Sequence, residues 1–495
     1  MKLVNLSIAA AAACLFATSA HALKSEDRDV KGSMQVEYTK IPGAVNSFTE
    51  IFTEGEVYGR LRANSFWWDW DNQTGTTRDG NMLGLGGSLV YKTAFYKGFG
   101  AHVGFYGSIP AHRGNVDGTT NYGKSGKDTY HQRANGTEGG LGNFAEAFLE
   151  YKAGKTNVKV GRQGIDSMMI ATNDTKMVPN TFEAVMIENK DLPNTTIEAG
   201  YIMSQKLRDH NRFHSLISAD AREGNDDSGR HKGIKKSTIK LAGGDENPEM
   251  LLFTASNKSI PNLKLDAEYV GLQGYINTAI LEGNYKIKLN DTWSLTPGVR
   301  YLSQMDDGAG RVGGAALEGT FAIGTSASAA KKATYSDINN ADGSIIMTRL
   351  VLDGGPLKVT AGYSKVSDDA DIIAPWRGFP TGGYTRCMAQ VDWVANTQNM
   401  MLRADYDFNK AGLVPGLKAA VAHEIMNFDD NKIAQGTIGF TDRSITQIDL
   451  WQSFKSLPNT EFRFRVGLVN ADKKPTAATD TESYGEYRFE INYLF

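Results

Sequence analysis

The residues best placed to do chemistry are basic: Arg60, Arg62, Lys286, Lys288, Arg300, Arg349, Lys358, Arg403, Arg463, Arg465 and Arg488. Each occupies an alternate position in a short stretch whose intervening residues are largely apolar. Successive side chains of an extended strand project to opposite faces, so these cations share the polar face of their strands. Glu282, Asp405, Asp407, Glu461 and Glu490 fall on the same face. Rows of fixed charge beside a water-filled path select charged solutes by Coulomb attraction in a low-dielectric frame. A net row of Arg and Lys would draw carboxylates, and the acids opposite would let cationic groups pass. Any one of these charges could instead be a solvated wall residue paired with a neighbour across the strands. Bond-making chemistry is not indicated, since no Gly-x-Ser-x-Gly, His-Glu-x-x-His or Walker-type loop occurs. His210 and His214 are four residues apart in a polar stretch with no third ligand in sequence. Asp368, Asp369 and Asp371, like Asp429 and Asp430, read as loop tips more readily than as calcium ligands. The expectation is no catalytic residue, no metal and no cofactor.

The elements that must carry these charges are strands with one apolar face. The chain ends on Tyr487, Phe489, Ile491, Tyr493 and Phe495 alternating with Glu486, Arg488, Glu490 and Asn492. In a soluble domain the aromatic face would pack on a core. Followed by no further segment, it suits a barrel with lipid outside and water inside. The same period of two recurs at 57–64, 281–289, 293–301, 357–363, 402–408 and 461–468. It recurs again near 81–91, 98–108, 142–162, 182–203, 249–271, 345–353, 387–395, 417–426 and 444–453. Helical periodicity is not sustained beyond the first residues. About 18 strands follow, because bacterial single-chain barrels have even strand numbers and one short segment is then a loop. Tight turns (95–98, 190–194, 290–291, 353–356, 413–416) alternate with long polar stretches near 109–141, 204–247, 303–344, 365–385 and 471–483. Trp67, Trp68 and Trp70 are expected in an interfacial aromatic girdle.

Composition narrows the class further. Charged residues make up 22% and mean hydropathy is −0.36; a membrane protein that polar must be a barrel, where only alternate residues face lipid. A formal net charge of −3 gives no sign of nucleic-acid binding. Lys2, the apolar run 6–20 and Ala20-His21-Ala22 read as a secretory signal peptide over residues 1–22, which leaves residues 23–495 as a single barrel domain. Cys14 lies inside the apolar run, which argues against a lipid anchor. The remaining Cys387 has no partner for an intrachain disulfide.

Residues 158–182 run from a strand into a segment containing Asn173, Asp174, Pro179, Thr181 and Phe182. Residues 403–417 contain Arg403, Asp405, Tyr406, Asp407 and Phe408, then Pro415, Gly416 and Leu417. Both segments resemble those of OprD-type outer-membrane porins, particularly an epsilonproteobacterial branch. Trp376-Arg377-Gly378-Phe379-Pro380 and Lys206-Leu207-Arg208-Asp209-His210 are similar to that branch as well. The resemblance implies an 18-stranded monomeric or homotrimeric channel whose inward-folded loops narrow the pore, placing Asp174, Lys176, Arg208 and Arg377 at the constriction. It also implies passive diffusion of small hydrophilic solutes, carboxylate-bearing or zwitterionic, guided by a ladder that includes Arg60, Arg62, Lys286, Arg300, Arg349, Lys358, Arg403, Arg463 and Arg465. The long loops are this chain's own, so they leave the solute open. The expected surroundings are the lipid and lipopolysaccharide of a Gram-negative cell outer membrane, with the barrel-assembly machinery engaging Phe495. The competing readings are a structural or adhesive surface barrel with a blocked lumen and a rim-type barrel enzyme. A siderophore receptor would need a longer chain for about 22 strands and a plug.

Overall fold

The computed structural model describes residues 28–31, 33–39, 41–73, 79–115, 129–132, 138–218, 231–388, 393–475 and 482–495. The leader expected at 1–22 lies outside them.

Eighteen antiparallel strands close into a barrel. They are β1 (Glu56–Trp70), β2 (Gly80–Lys92), β3 (Phe99–Asn115), β4 (Leu141–Ala153), β5 (Thr156–Gln163), β6 (Thr181–Asn189), β7 (Thr195–Lys206), β8 (Met250–Asn257) and β9 (Leu263–Leu272). The ring continues through β10 (Ile276–Tyr285), β11 (Trp293–Asp306), β12 (Gly343–Gly354), β13 (Leu357–Val366), β14 (Gln398–Asp407), β15 (Leu417–Asn427), β16 (Arg443–Phe454), β17 (Leu457–Ala471) and β18 (Tyr484–Leu494). β18 pairs with β1, so no strand edge is left open. At that seam Phe495 exchanges backbone hydrogen bonds with Gly59. A Cβ at Gly59 would meet the Ser88 carbonyl at 2.1 Å and the Phe495 ring at 3.0 Å, so only glycine fits beneath the terminal ring.

The connections are short on one rim (154–155, 355–356 and 455–456 among them) and long on the other. In outer-membrane barrels these rims are periplasmic and extracellular respectively. The long loops that matter here are L3 (164–180), L4 (207–249), L6 (307–342), L7 (367–397) and L8 (428–442).

The two faces of the wall differ as the alternation requires. Leu61, Leu149, Leu281, Val299, Leu350, Leu402, Val421, Leu468 and Phe489 are exposed on the outside, where lipid would cover them. Arg60, Arg62, Asn64, Glu282, Arg300, Glu486, Glu490 and Asn492 are buried inside. A charge on the outer face must therefore meet hydrocarbon. Leu402→Arg is expected to destabilise the barrel by about 2–4 kcal/mol. Lys358→Gln, on the water side, should stay within about 0.5 kcal/mol. Denaturant unfolding in lipid vesicles, monitored by the mobility shift of the folded barrel, checks both.

Three sequence expectations need correction. First, the long-loop half of the inner wall is apolar, not polar. Met82, Ile202, Leu252, Val270, Ile280, Leu302, Ile345, Met347 and Met426 point inward and are buried with Ile165, Met169, Leu216, Ile372, Trp376 and Trp393 of the loops. The protein's main hydrophobic core thus lies inside the barrel, under its loops. Second, only Trp67 faces outward; Trp68 is buried and stacks near Phe66 at 5.7 Å, and Trp70 packs on Tyr484. Third, the described residues of 387–395, which are 387–388 and 393–395, do not form a strand. Cys387, Met388, Trp393, Val394 and Ala395 belong to L7, and their apolar character reflects burial in that core.

Candidate functional site: the lumen constriction

L3 crosses the barrel. At one end Glu268 of β9 accepts from the Ser167 hydroxyl (2.8 Å) and the Met168 and Met169 amides (2.6 and 2.9 Å). At the other end Asp174 pairs with Arg60 and, at 3.0 Å, with Arg62, both on β1. Strands β1 and β9 stand eight apart in a ring of eighteen, nearly opposite. L3 is therefore a strap across the lumen, tied by a carboxylate at each end. Its β1 end is secured further by Asn64, which donates to the Lys176 carbonyl (2.7 Å), and by Lys176, whose ammonium lies 3.8 Å from the Phe66 ring centre.

L7 packs on the strap. The Trp376 indole donates to the Met169 carbonyl (2.9 Å). Arg377, held in the left-handed region (φ 57°), pairs with Asp209 of L4 at 2.7 Å. Such a backbone costs about 1–3 kcal/mol, and the buried ion pair helps to hold it. On the wall side Arg300 donates to the Pro380 and Gly382 carbonyls (3.3 and 3.0 Å) and Arg349 to the Gly383 carbonyl (2.8 Å). Glu282 accepts from both guanidiniums, and both stack on Tyr384. L7 can approach the wall here because position 362 is glycine; a Cβ there would sit 2.1 Å from the Tyr384 carbonyl.

These contacts sort the expected site residues. Arg60 and Arg62 hold L3, and Arg300 and Arg349 hold L7; all four face inward but act as loop anchors. Asp174, Lys176, Arg208 and Arg377 sit inside the lumen in L3, L4 and L7, buried where the loops meet. Lys286 and Lys358 are exposed toward the short-turn rim. Arg403 is partly open and grips Asp405 at 2.6 Å. Arg463 and Arg465 share Asp449, while Arg488 pairs with Glu486 at 2.5 Å and Arg62 with Glu490 at 2.6 Å. Arg465 and Arg488 are direct cross-strand partners.

Open space remains beside these last residues. A narrow cleft of about 10 Å³, room for about one water, lies between L3 and the β17–β18 wall and is lined by Thr175, Arg463, Arg465, Arg488 and Glu490. Three guanidiniums thus face the gap with one carboxylate and a hydroxyl. Sequence reasoning missed Glu268, and it named Asp209 and Trp376 within the resembling segments without giving them a role. Glu268 carried a faint signal, as an acid in phase with Asp266 on the polar face of β9; the other two become meaningful only once the loops meet.

Above the strap, L6 and L7 are joined by Asp371. It accepts from the Leu317 and Ala395 amides and the Tyr335 hydroxyl, all at 2.7–2.8 Å. Burial pushes its carboxyl up to about 6, outweighing those donors. The ordinary value is about 3.9, so the folded loops bind this proton more tightly than the unfolded ones. The stability this adds below about pH 4 is lost as pH rises through about 6. Limited proteolysis of these loops should therefore be slower at pH 5 than at pH 7.5; equal rates at the two pH values would contradict the linkage.

The profile of the outer membrane porins of the OprD family matches residues 115–432. The chain belongs to the OprD family of outer membrane porins. Solved structures agree in fold. Acinetobacter baumannii OccAB3 superposes with a TM-score of 0.67 at 16% identity, covering 90% of this chain and 100% of that one. A BenF-like porin from Pseudomonas fluorescens Pf-5 gives 0.68 at 15% identity, over 89% and 98%. Pseudomonas aeruginosa OpdK with vanillate gives 0.64 at 13% identity, over 89% and 98%. No curated protein matches in sequence. This OprD-family barrel is an outer-membrane channel for small solutes of a Gram-negative bacterium.

Proposed function

We propose that the channel passes small hydrophilic solutes bearing a carboxylate, alone or as part of a zwitterion, by passive diffusion. The observation that carries this is the lining of the cleft: Arg463, Arg465 and Arg488 against Glu490. Low-dielectric walls focus the field of these guanidiniums into the gap. Asp449 serves two of them, so their charge is incompletely met by their own partners. Arg403 with Asp405, and Lys358 toward the short-turn rim, continue the basic path. Arg60, Arg62, Arg300 and Arg349 contribute by holding the loops that shape the gap. Phe495, at the barrel seam, is proposed as the residue that the assembly machinery engages.

The dense packing of the lumen favours a second reading, a surface barrel that does not conduct. Single-channel recording of purified protein in a planar bilayer under a salt gradient separates the two. Stepwise openings with a reversal potential biased to the anion support the proposal. Openings biased to the cation keep the channel and discard the guanidinium guide. Absence of openings in folded protein selects the surface barrel.

A further inference from the structure

The inner wall of β1–β4 carries an apolar patch in its short-turn half, where the rest of the inner wall is polar. Tyr58, Val90, Tyr106 and Ala145 point inward there and are buried, and Leu141 at the long-loop end of β4 joins the same cluster. What buries them is not a barrel strand. The chain before β1 enters the lumen as a hairpin, Arg28–Val30 paired with Val36–Tyr38. Val36 and Tyr38 cover the patch together with Met177 and Val178 of L3, and the Tyr38 ring stacks on Tyr58 at 5.2 Å.

Polar contacts fix the hairpin's height. Arg60 donates to the Met34 carbonyl (2.7 Å), and the Asp174 amide donates to the Ser33 carbonyl (2.8 Å). Gln35 donates to Glu146 of β4 (3.3 Å). The hairpin therefore binds both members of the Arg60–Asp174 pair that ties down L3. The outer surface of the hairpin is different in kind: Lys31 and Glu37 pair at 3.0 Å with side chains 40% and 49% exposed.

We infer that this N-terminal hairpin is a displaceable wall of the channel, which narrows the path on the β1–β4 side and masks the Arg60 guanidinium. Two three-residue strands do not hold together alone in water. The hairpin's position thus depends on side-chain and loop contacts, whereas each barrel strand is bonded along its length on both sides. An apolar patch facing a water-filled lumen has a physical reason only if something covers it. When the hairpin withdraws, the patch and Arg60 are wetted, the cross-section grows, and L3 loses one of its supports at Asp174. The inference rests on the channel itself and is independent of which ion the channel prefers.

The test uses the protein freed of its expected leader, which carries Cys14, and bearing Lys31→Cys. Cys387 is buried, so a negatively charged methanethiosulfonate reagent should react at position 31. Reaction, verified by mass, is expected to lower the unit current in steps; complete reaction with unchanged current overturns the inference. Deletion of residues 28–38 gives an independent reading. The folded variant is expected to conduct about two-fold more than the parent or better, because conduction follows the open lining of the pore. Conductance equal to or below the parent's overturns the inference. Should the parent be silent and the deletion variant conduct, the hairpin closes the path outright. Silence in both overturns the inference together with conduction.

Discussion

Glu268→Ala is expected to raise the unit conductance about two-fold or more and to make the open current noisier, because the pore lining would no longer be held on one side. Glu268 is the sole tie described between β9 and L3, and it satisfies three donors of the strap with two oxygens. Its removal leaves two amides and a hydroxyl buried without that acceptor, at a cost of about 1–3 kcal/mol for each group left unsatisfied. The strap can relieve that cost only by moving toward water. Glu268→Gln keeps one acceptor oxygen and should fall between. The Asp174 end still holds in both variants, so the barrel is expected to remain folded. An unchanged conductance in folded Glu268→Ala would mean that the Trp376–Met169 contact and the Asp174 end suffice to set the position of L3.

The second large effect concerns selectivity. Replacing Arg465 and Arg488 together by Gln should lower the anion-to-cation permeability ratio by about ten-fold, the scale on which charge-lined clefts concentrate ions. In the double variant Arg463 and Glu490 are the charged lining residues left, Asp449 keeps only Arg463 of its two arginines, and Glu486 loses Arg488. The reversal potential under a potassium chloride gradient reads this directly. Arg300→Gln provides the contrast. Arg300 is buried against Glu282 and holds L7, so its loss should alter the size of the current more than its sign preference. If Arg300→Gln moved the reversal potential as far as the double variant, the division between guiding and anchoring arginines would be wrong.

That division explains why the lumen charges were legible as a set yet not by role. Period-two alternation assigns Arg60, Arg300, Arg403 and Arg465 to the same face by the same reasoning. Whether an inward guanidinium meets water or a loop carbonyl depends on which loop arrives above it, and loops come from distant parts of the chain. Arg300 meets Pro380 and Gly382, 80 and 82 residues away; Arg60 meets Asp174, 114 residues away. The misplaced strand at 387–395 and the misplaced Trp68 have one cause. An apolar residue in an alternating stretch reads as lipid-facing, whereas L7 and the long-loop ends of the strands build a core inside the barrel.

By itself the sequence determined the barrel. Backbone groups in a membrane must be satisfied within the protein, and a polar chain with alternating apolar residues can do that only as a closed sheet. It also determined which residues face inward, because a strand has only two faces and lipid takes one. Tertiary structure alone decided where the lumen is open. L3 is pulled across by Glu268 and Asp174, L7 is seated by Arg300 and Arg349, and the N-terminal hairpin covers the β1–β4 wall. The gap beside Arg463, Arg465 and Arg488 is the space L3 leaves against the β17–β18 wall. Volume left over by packing belongs to no residue, so no local pattern in the chain encodes it.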